Sequence, residues 1–444
     1  MNAEIRQIRT AAEQALLDSF AASKAKLPGA GGVAALREAA FKVFEQQGLP
    51  HRRIEEWKYT DLRAVMRDAK PLAAPPDAKA KARARDADGW LAGVERRRIV
   101  FVDGAFAPEL SDLAALEKGL SIGSLADALA KADPQTMKYL GRAVPAKDDP
   151  AVTLNTAFMG DGAVIHIADG LKLERPLHLS FIVSGDTPAA IFARSLVVVG
   201  KSAQATLIES FQGPAGVDYQ VNHALELSVG EGAEFDHIKI THEGDKAIHV
   251  GTLIADIAGR ARIGDFSFTS GGAVVRNQIF MRLGGQETNA NISGASLLKA
   301  RQHADNTLVI DHAVPHCLSR EIFKSVVDDE ARSVFQGKII VRPDAQKTDG
   351  KMATHALLLS EGAEADAKPE LEIFADDVVC GHGATAGALD DDLLFYLKTR
   401  GIPPKEAEAL LIQAFIGEAV EVIGNESVRD ALMIEVERWL AARR

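Results

Sequence analysis

From about Leu154 to Phe374 the chain is a succession of short apolar strands cut by glycine, and this pattern restricts the possible folds most. RSLVVVG, ALELSVG, GTLIADIAG and QIFMRLGG each run into a polar turn. A second series follows those turns: ATLIES, EFDHIKI, ARIGDFSF and NANISGAS. The turn glycines Gly200, Gly230, Gly259 and Gly284 recur at roughly 25–30 residues, the scale of one structural repeat. A unit that short cannot bury an apolar face alone, so each coil must bury it against the next, which makes a solenoid. A β-helix is the expected core, and a sandwich or barrel of similar strand spacing is the alternative.

The flanks have a different period. Apolar residues recur at helical spacing through Ile5, Ile8, Ala12, Ala15, Leu16 and Phe20, then again from Val33 to Phe44. Pro50, after Gly48, closes the second of these helices. The run PLAAPPDAKAKARARDADG, Pro71 to Gly89, has few large apolar groups and reads as a linker or loop. Ile99–Val102 begins a short strand that turns at Asp103-Gly104. After Thr385 the helical period returns. Asp390, Asp391 and Asp392 suit a helix N-terminus. Leu393, Leu394 and Leu397 form its apolar side, and Gly401 stops it. Pro403 and Pro404 open a second helix with Leu410, Leu411, Ala414 and Phe415. A third, from about Glu426, is striped by Val428, Leu432, Val436 and Leu440. These helices either dock a partner or pack on one another. Three regions result: 1–150 with helices, linker and short strands, 151–385 as the β core, and 386–444 as a helical end.

Charge and composition exclude several roles. The net charge of −11 argues against nucleic acid, because phosphate contacts need a basic face. No stretch approaches the roughly 20 apolar residues of a membrane span, and the first residues lack a secretory apolar core. With only Cys317 and Cys380, no disulfide framework is needed, so a cytoplasmic location is expected.

The same two cysteines limit the chemistry. An iron–sulfur cluster takes about four thiolate or imidazole ligands, so a complete four-thiolate site needs ligands from elsewhere. In DDVVCGHG, Asp376 to Gly383, strand alternation puts Val378, Cys380 and His382 on one face. Gly381 and Gly383 leave little bulk beside His382, where a metal or another backbone can approach. Thiolate and imidazole both suit iron. The competing reading is a small buried cysteine beside a hydrogen-bonded histidine.

His312 and His316 are four apart, but Pro315 interrupts them and no Glu follows His312. His223, His237, His242 and His249 fall on different strands and turns, where separate solvated or hydrogen-bonded side chains are expected. Cys317 is expected to be a small buried residue. Gly337-Lys338 is followed by Ile339, so no phosphate-binding loop exists, and the dinucleotide and nucleophile-elbow patterns are absent. No intrinsic nucleotide site and no catalytic residue is expected. A carbohydrate-active β-helix enzyme would need paired carboxylates, whereas adjacent Asp376 and Asp377 would point to opposite faces of a strand. A stand-alone iron-binding protein is a further alternative.

The run VVCGHGATAGALDDDLLFYLKTRGI, Val378 to Ile402, resembles the C-terminal signature of the SufB/SufD family of iron–sulfur assembly scaffolds. GLPHRRIEEWKYTDL (Gly48–Leu62), FVDGAFAPELS (Phe101–Ser111) and LNTAFMGDGAV (Leu154–Val164) are similar to its other landmarks, in order. HADNTLVIDHAVPHCLSREIFKSVVDDEARSVFQGKIIV (His303–Val341) is similar to its last coils, so the likeness covers nearly the whole chain. Few cysteines and the GHGAT form, where SufB usually has a Glu-containing version, favour the SufD branch. The resemblance implies a right-handed parallel β-helix flanked by N- and C-terminal helices. It implies a heterodimer with SufB, a SufC ATPase docked on the C-terminal helices, and a nascent cluster of iron and sulfide shared with SufB. His382 matches the proposed interface ligand, with Cys380 in the same motif. The docking residues would be Leu393, Leu394, Leu397, Leu410, Phe415, Leu432 and Val436. A homodimer in the absence of SufB stays open.

Overall fold

The structure, a computed structural model, describes residues 9–142 and 149–443; Ile5 and Ile8 lie outside them. The two strand series become two different sheets. Ala190–Val199, Gln220–Val229, Ile248–Ile257 and Val274–Leu283 are successive neighbours in one, which continues through His303–His312, Arg332–Val341 and Glu364–Ile373. Gln204–Gln212, Glu234–His242, Arg262–Thr269 and Asn289–Leu298 build the other, which continues through Leu318–Val327, Asp349–Leu358 and Val379–Gly387. Within these runs every pairing is parallel and without slippage: Val274 faces His303, and His303 faces Arg332. The core is therefore a parallel β-solenoid of about eight turns, not a sandwich or barrel.

The recurring glycines have a steric cause. Their backbones stack from coil to coil, so a Cβ on Gly230 would stand 2.7 Å from the Gly200 carbonyl carbon. One on Gly285 would overlap the Gly259 backbone nitrogen. Strand alternation sends one set of side chains inward, where Leu207, Leu225, Phe235, Leu253, Ile263 and Ile279 form the main core. The outer face of one sheet is covered by the N-terminal region, with Trp57, Leu62 and Phe158 against Ile248, Val250 and Val274. The outer face of the other is covered by the C-terminal helices.

Asp391–Thr399 is capped by Asp390, whose carboxylate accepts the Asp392 and Leu393 N–H groups at 2.9 and 3.0 Å. Pro404–Val420 and Glu426–Ala441 follow, with Gly401 at φ 85° between the first two. No described helix is long and apolar enough to cross a membrane.

Two expectations change. LNTAF, read as the start of the strands, lies in the helix Pro150–Phe158, every residue of which is buried; the strands of this region begin at Ala163. Its polar Thr153, Asn155 and Thr156 are buried with the rest, so no solvent-facing polar stripe marks the helix. The supposed linker Pro71–Gly89 holds a helix, Ala78–Ala84, whose Ala80 and Ala84 pack on Val100, Val102 and Ile182. Its Asp88 is buried and accepts hydrogen bonds from Ser180 at 2.6 Å, Arg98 at 2.7 Å and Gln212 at 2.6 Å. Small side chains here serve close packing, which composition alone cannot distinguish from a loop.

The two ends of the solenoid differ. At one, Arg97–Val102 joins the sheet beside Leu177–Ile182, then turns at Asp103 and Gly104 into an antiparallel hairpin. Leu120–Ser124 closes the other sheet with an antiparallel pairing to Ala163–Ile167. At the far end, Glu364–Ile373 and Val379–Gly387 are each last in their sheet, and among the described residues each leaves one backbone edge unpaired.

Candidate functional site at the open end

Val379–Gly387, the last strand, carries both expected ligands. Cys380 lies in register with Gly350, and His382 with Met352. Met352 is buried in the main core, and Cys380 is half-buried against that core. His382, in the same inward orientation, is exposed because no further coil covers it. Alternate residues of a strand are ~7 Å apart, a separation that a multinuclear metal assembly could bridge but a single ion could not without movement of the side chains. Gly381 and Gly383 take the opposite orientation, and a Cβ on either would meet nothing within 4 Å. They therefore bare the outer face of the strand and do not clear space on the face of His382.

Beneath Cys380, Gly350 contributes no side chain, and the next residue inward is Ser319, 3.0 Å from His312 Nε2. Glu321 lies beneath Met352, fully buried, and burial pushes its carboxyl up to about 8. Burial also pushes the Cys380 thiol up, reinforced by the Asp349 and Glu321 carboxylates, so iron would have to displace its proton. His312 is buried and held down to about 4 by that burial, while His316 sits in a turn at φ 62°. Cys317 is buried, its thiol donating to the Gly285 carbonyl at 3.3 Å. Among the described residues, no three His, Cys, Asp or Glu side chains come together as a group able to hold a metal ion.

Apolar groups rim this end: Val379 is 60 % exposed, Phe374 59 %, and Ile373 is exposed beside them. Asp376 and Asp377 precede the strand instead of alternating within it, and Asp377 pairs with Lys347.

Along the helical end the expected docking residues divide. Leu393 and Leu410 are exposed, Leu394, Leu397 and Phe415 are half-buried, and Phe395 is 65 % exposed beside exposed Tyr396. Leu432 and Val436 are both 0 % exposed, packed in the cluster that includes Ile238, Ile240, Phe266 and Phe268. They hold their helix to the solenoid and offer nothing to a partner. An apolar stripe has the same appearance in sequence whichever surface it meets. Phe415 lies under the Lys324 ammonium, 4.6 Å from the ring centroid.

Sequence reasoning missed one constellation. His223, His237 and His249 are not separate: they meet inside the solenoid with Glu209, Lys239, Glu243 and Asp265. His242 lies apart at the surface, bonded to Ser270. Inward parity on neighbouring coils was the available signal, hidden until the register was known.

The solenoid thus ends in an exposed strand that carries Cys380 and His382, beside helices with exposed apolar residues. The family model of the SUF system FeS cluster assembly SufBD core domain matches residues 181–415, and that of the SufBD protein N-terminal region matches 10–179. A SufBD family iron–sulfur cluster assembly protein of Synechocystis is 32% identical over 407 residues, covering 89% of this chain and 88% of the relative. Iron–sulfur cluster assembly protein SufD of Escherichia coli is 30% identical, covering 88% and 90%, and SufD of Bacillus subtilis 25%, covering 91% and 93%. The chain belongs to the SufBD family of iron–sulfur cluster assembly proteins and is a homologue of SufD. The carbohydrate-active alternative falls with that finding.

Proposed function

We propose that this chain is the non-catalytic SufD-type subunit of a cytoplasmic Suf complex, pairing through its open end with SufB. The observation that carries this reading is the asymmetry of the solenoid: one end finishes in the short antiparallel strands Ala105–Phe106 and Leu120–Ser124, the other in two long parallel edge strands with apolar residues and His382. Unpaired edges seek another strand, and a partner solenoid supplies two. His382, with Cys380, would contribute to a nascent cluster of iron and sulfide held as cargo, the remaining ligands coming from SufB. Among the described residues no third His, Cys, Asp or Glu side chain completes a group with these two, in keeping with that division.

SufC would dock on the exposed face of Asp391–Thr399 and Pro404–Val420, through Leu393, Leu394, Leu397, Leu410 and the neighbouring Phe395 and Tyr396. Pairing covers His382, and ATP-driven SufC dimerisation, acting through these helices, reopens the junction to iron and sulfide. The driving force is the difference in SufC contacts between its two states. His382→Ala should leave the complex assembled and abolish cluster build-up in cells that depend on Suf. Normal growth of that strain would sink the ligand assignment. Stoichiometric iron held by this chain without SufB would instead favour a stand-alone metal protein.

A further inference from the structure

Midway along the solenoid the inner face changes from apolar to ionic. His237 lies between two carboxylates, Nδ1 2.7 Å from Asp265 and Nε2 3.1 Å from Glu209. Glu209 also faces His223 at 3.3 Å. From the next position the Lys239 ammonium reaches His249 Nε2 at 2.9 Å and donates to Asn277 Oδ1 at 2.7 Å. A side chain on Gly251 would overlap that ammonium, so the coil is shaped around it. His249 Nδ1 faces Glu243 at 3.0 Å, and Glu243 accepts the Tyr219 hydroxyl at 2.5 Å. All of these groups are buried.

Both ends of this stretch are closed by aromatic rings. Phe181 and Phe211 flank His223, each with its centroid 4.9 Å away. Toward the open end, Phe323 lies over Gly294, whose Cβ would be 2.7 Å from the ring, and pairs with Phe335 at 5.1 Å. Between them the network is incompletely satisfied: Thr241 Oγ1 and Ser267 Oγ are buried without hydrogen-bond partners among the described residues, and Glu209 Oε1 and His223 Nε2 meet only each other, at 3.3 Å and without hydrogen-bond geometry. A cavity of about 20 Å³ lies among Glu209, His223, Lys239 and Ser267, enough for one water. Buried polar atoms left without protein partners are ordinarily bridged by ordered water.

The outer faces of the same strands, at Ile238, Ile240, Phe266 and Phe268, pack in one cluster with Ile412, Ile416, Leu432 and Val436 of the C-terminal helices. We propose that this is a hydrated ionic chamber with water as its resident ligand, and that it is the yielding section of the solenoid on which those helices bear. A coil filled by a partly satisfied polar network and water loses less on opening than one filled by close-packed apolar groups. The use made of this yielding rests on the proposed role of the helices; its existence does not.

Hydrogen exchange read by mass spectrometry on the chain alone tests it, with no partner whose failure to bind could confuse the result. Amides of Glu234–His242 and Ile248–Ile257 should exchange at least tenfold faster than those of His303–His312 and Arg332–Val341, although the latter lie nearer the open end. Equal or slower exchange in the chamber strands overturns the proposal. Replacing the facing pair together, Glu209→Leu with His223→Leu, leaves the His237–Asp265 pair intact and should slow that exchange. A folded double variant without slowing removes the polar interior as its cause. If the variant does not fold, the wild-type comparison decides.

Discussion

Trp57 is fully buried, with the Arg276 guanidinium 3.9 Å from its ring, and Arg276 pairs with buried Asp305. The Thr60 hydroxyl donates to the same carboxylate, and the Glu56 carbonyl accepts from Arg276 at 2.7 Å and Gln336 at 3.2 Å. The Glu-Trp-Lys-Tyr-Thr stretch is therefore a clasp between the N-terminal region and three coils. In sequence it had meaning only as a resemblance, because its partners lie more than two hundred residues away. Trp57→Ala should cost about 3–5 kcal/mol in urea unfolding, the range for emptying a large aromatic site. A loss below about 1 kcal/mol would show that the clasp is dispensable.

At the scale of elements, the glycine corners and the C-terminal helices make separate demands. Gly285→Ala puts a methyl into the Gly259 backbone, which cannot move without shifting a coil. It should cost about 1–3 kcal/mol, as overpacking does, read as a lower urea midpoint. Leu432→Asp buries a charge between helix and sheet and should free the C-terminal helices, making them sensitive to protease. Leu393→Asp, at a position 52 % exposed, should leave proteolysis and stability unchanged while weakening SufC co-purification. Equal protease sensitivity of the two variants would contradict this division of the apolar stripes. The division was beyond the sequence, since both helices carry apolar residues at three- or four-residue spacing.

For the whole molecule, the buried ionisable groups set a pH profile. Burial holds His178 at about 4, His223 at about 3 and His312 at about 4. The unfolded chain protonates these rings near 6.5 while the folded chain does not, so their stability contribution is lost as pH falls below that value. Burial raises Glu243 to about 7 and Glu321 to about 8, and the carboxylates of Asp265 and Glu209 raise His237 to about 9 against its burial. The folded state then holds protons that the unfolded state has released, so stability also falls as pH rises through 7 and 8. Lys239, lowered to about 8 by burial, opposes this only above that pH. The urea midpoint should peak near pH 6.5, and Glu321→Gln should flatten the decline between pH 6.5 and 8. A midpoint that rises steadily from pH 6 to 8 would contradict the assignment.

By itself the sequence determined the repeat, because the strand period is local and corners such as Gly230 and Gly285 leave no room for a side chain. It determined the helical ends too, since Asp390, Gly401 and Pro404 act on their own backbone. It also marked Cys380 and His382 as one face of one strand. Tertiary structure decided the rest: which stripes are buried, what Trp57 holds, and that three scattered histidines share an interior. Those facts depend on register between coils about thirty residues apart, and register is set by the stacking of whole turns, which no local window of sequence contains.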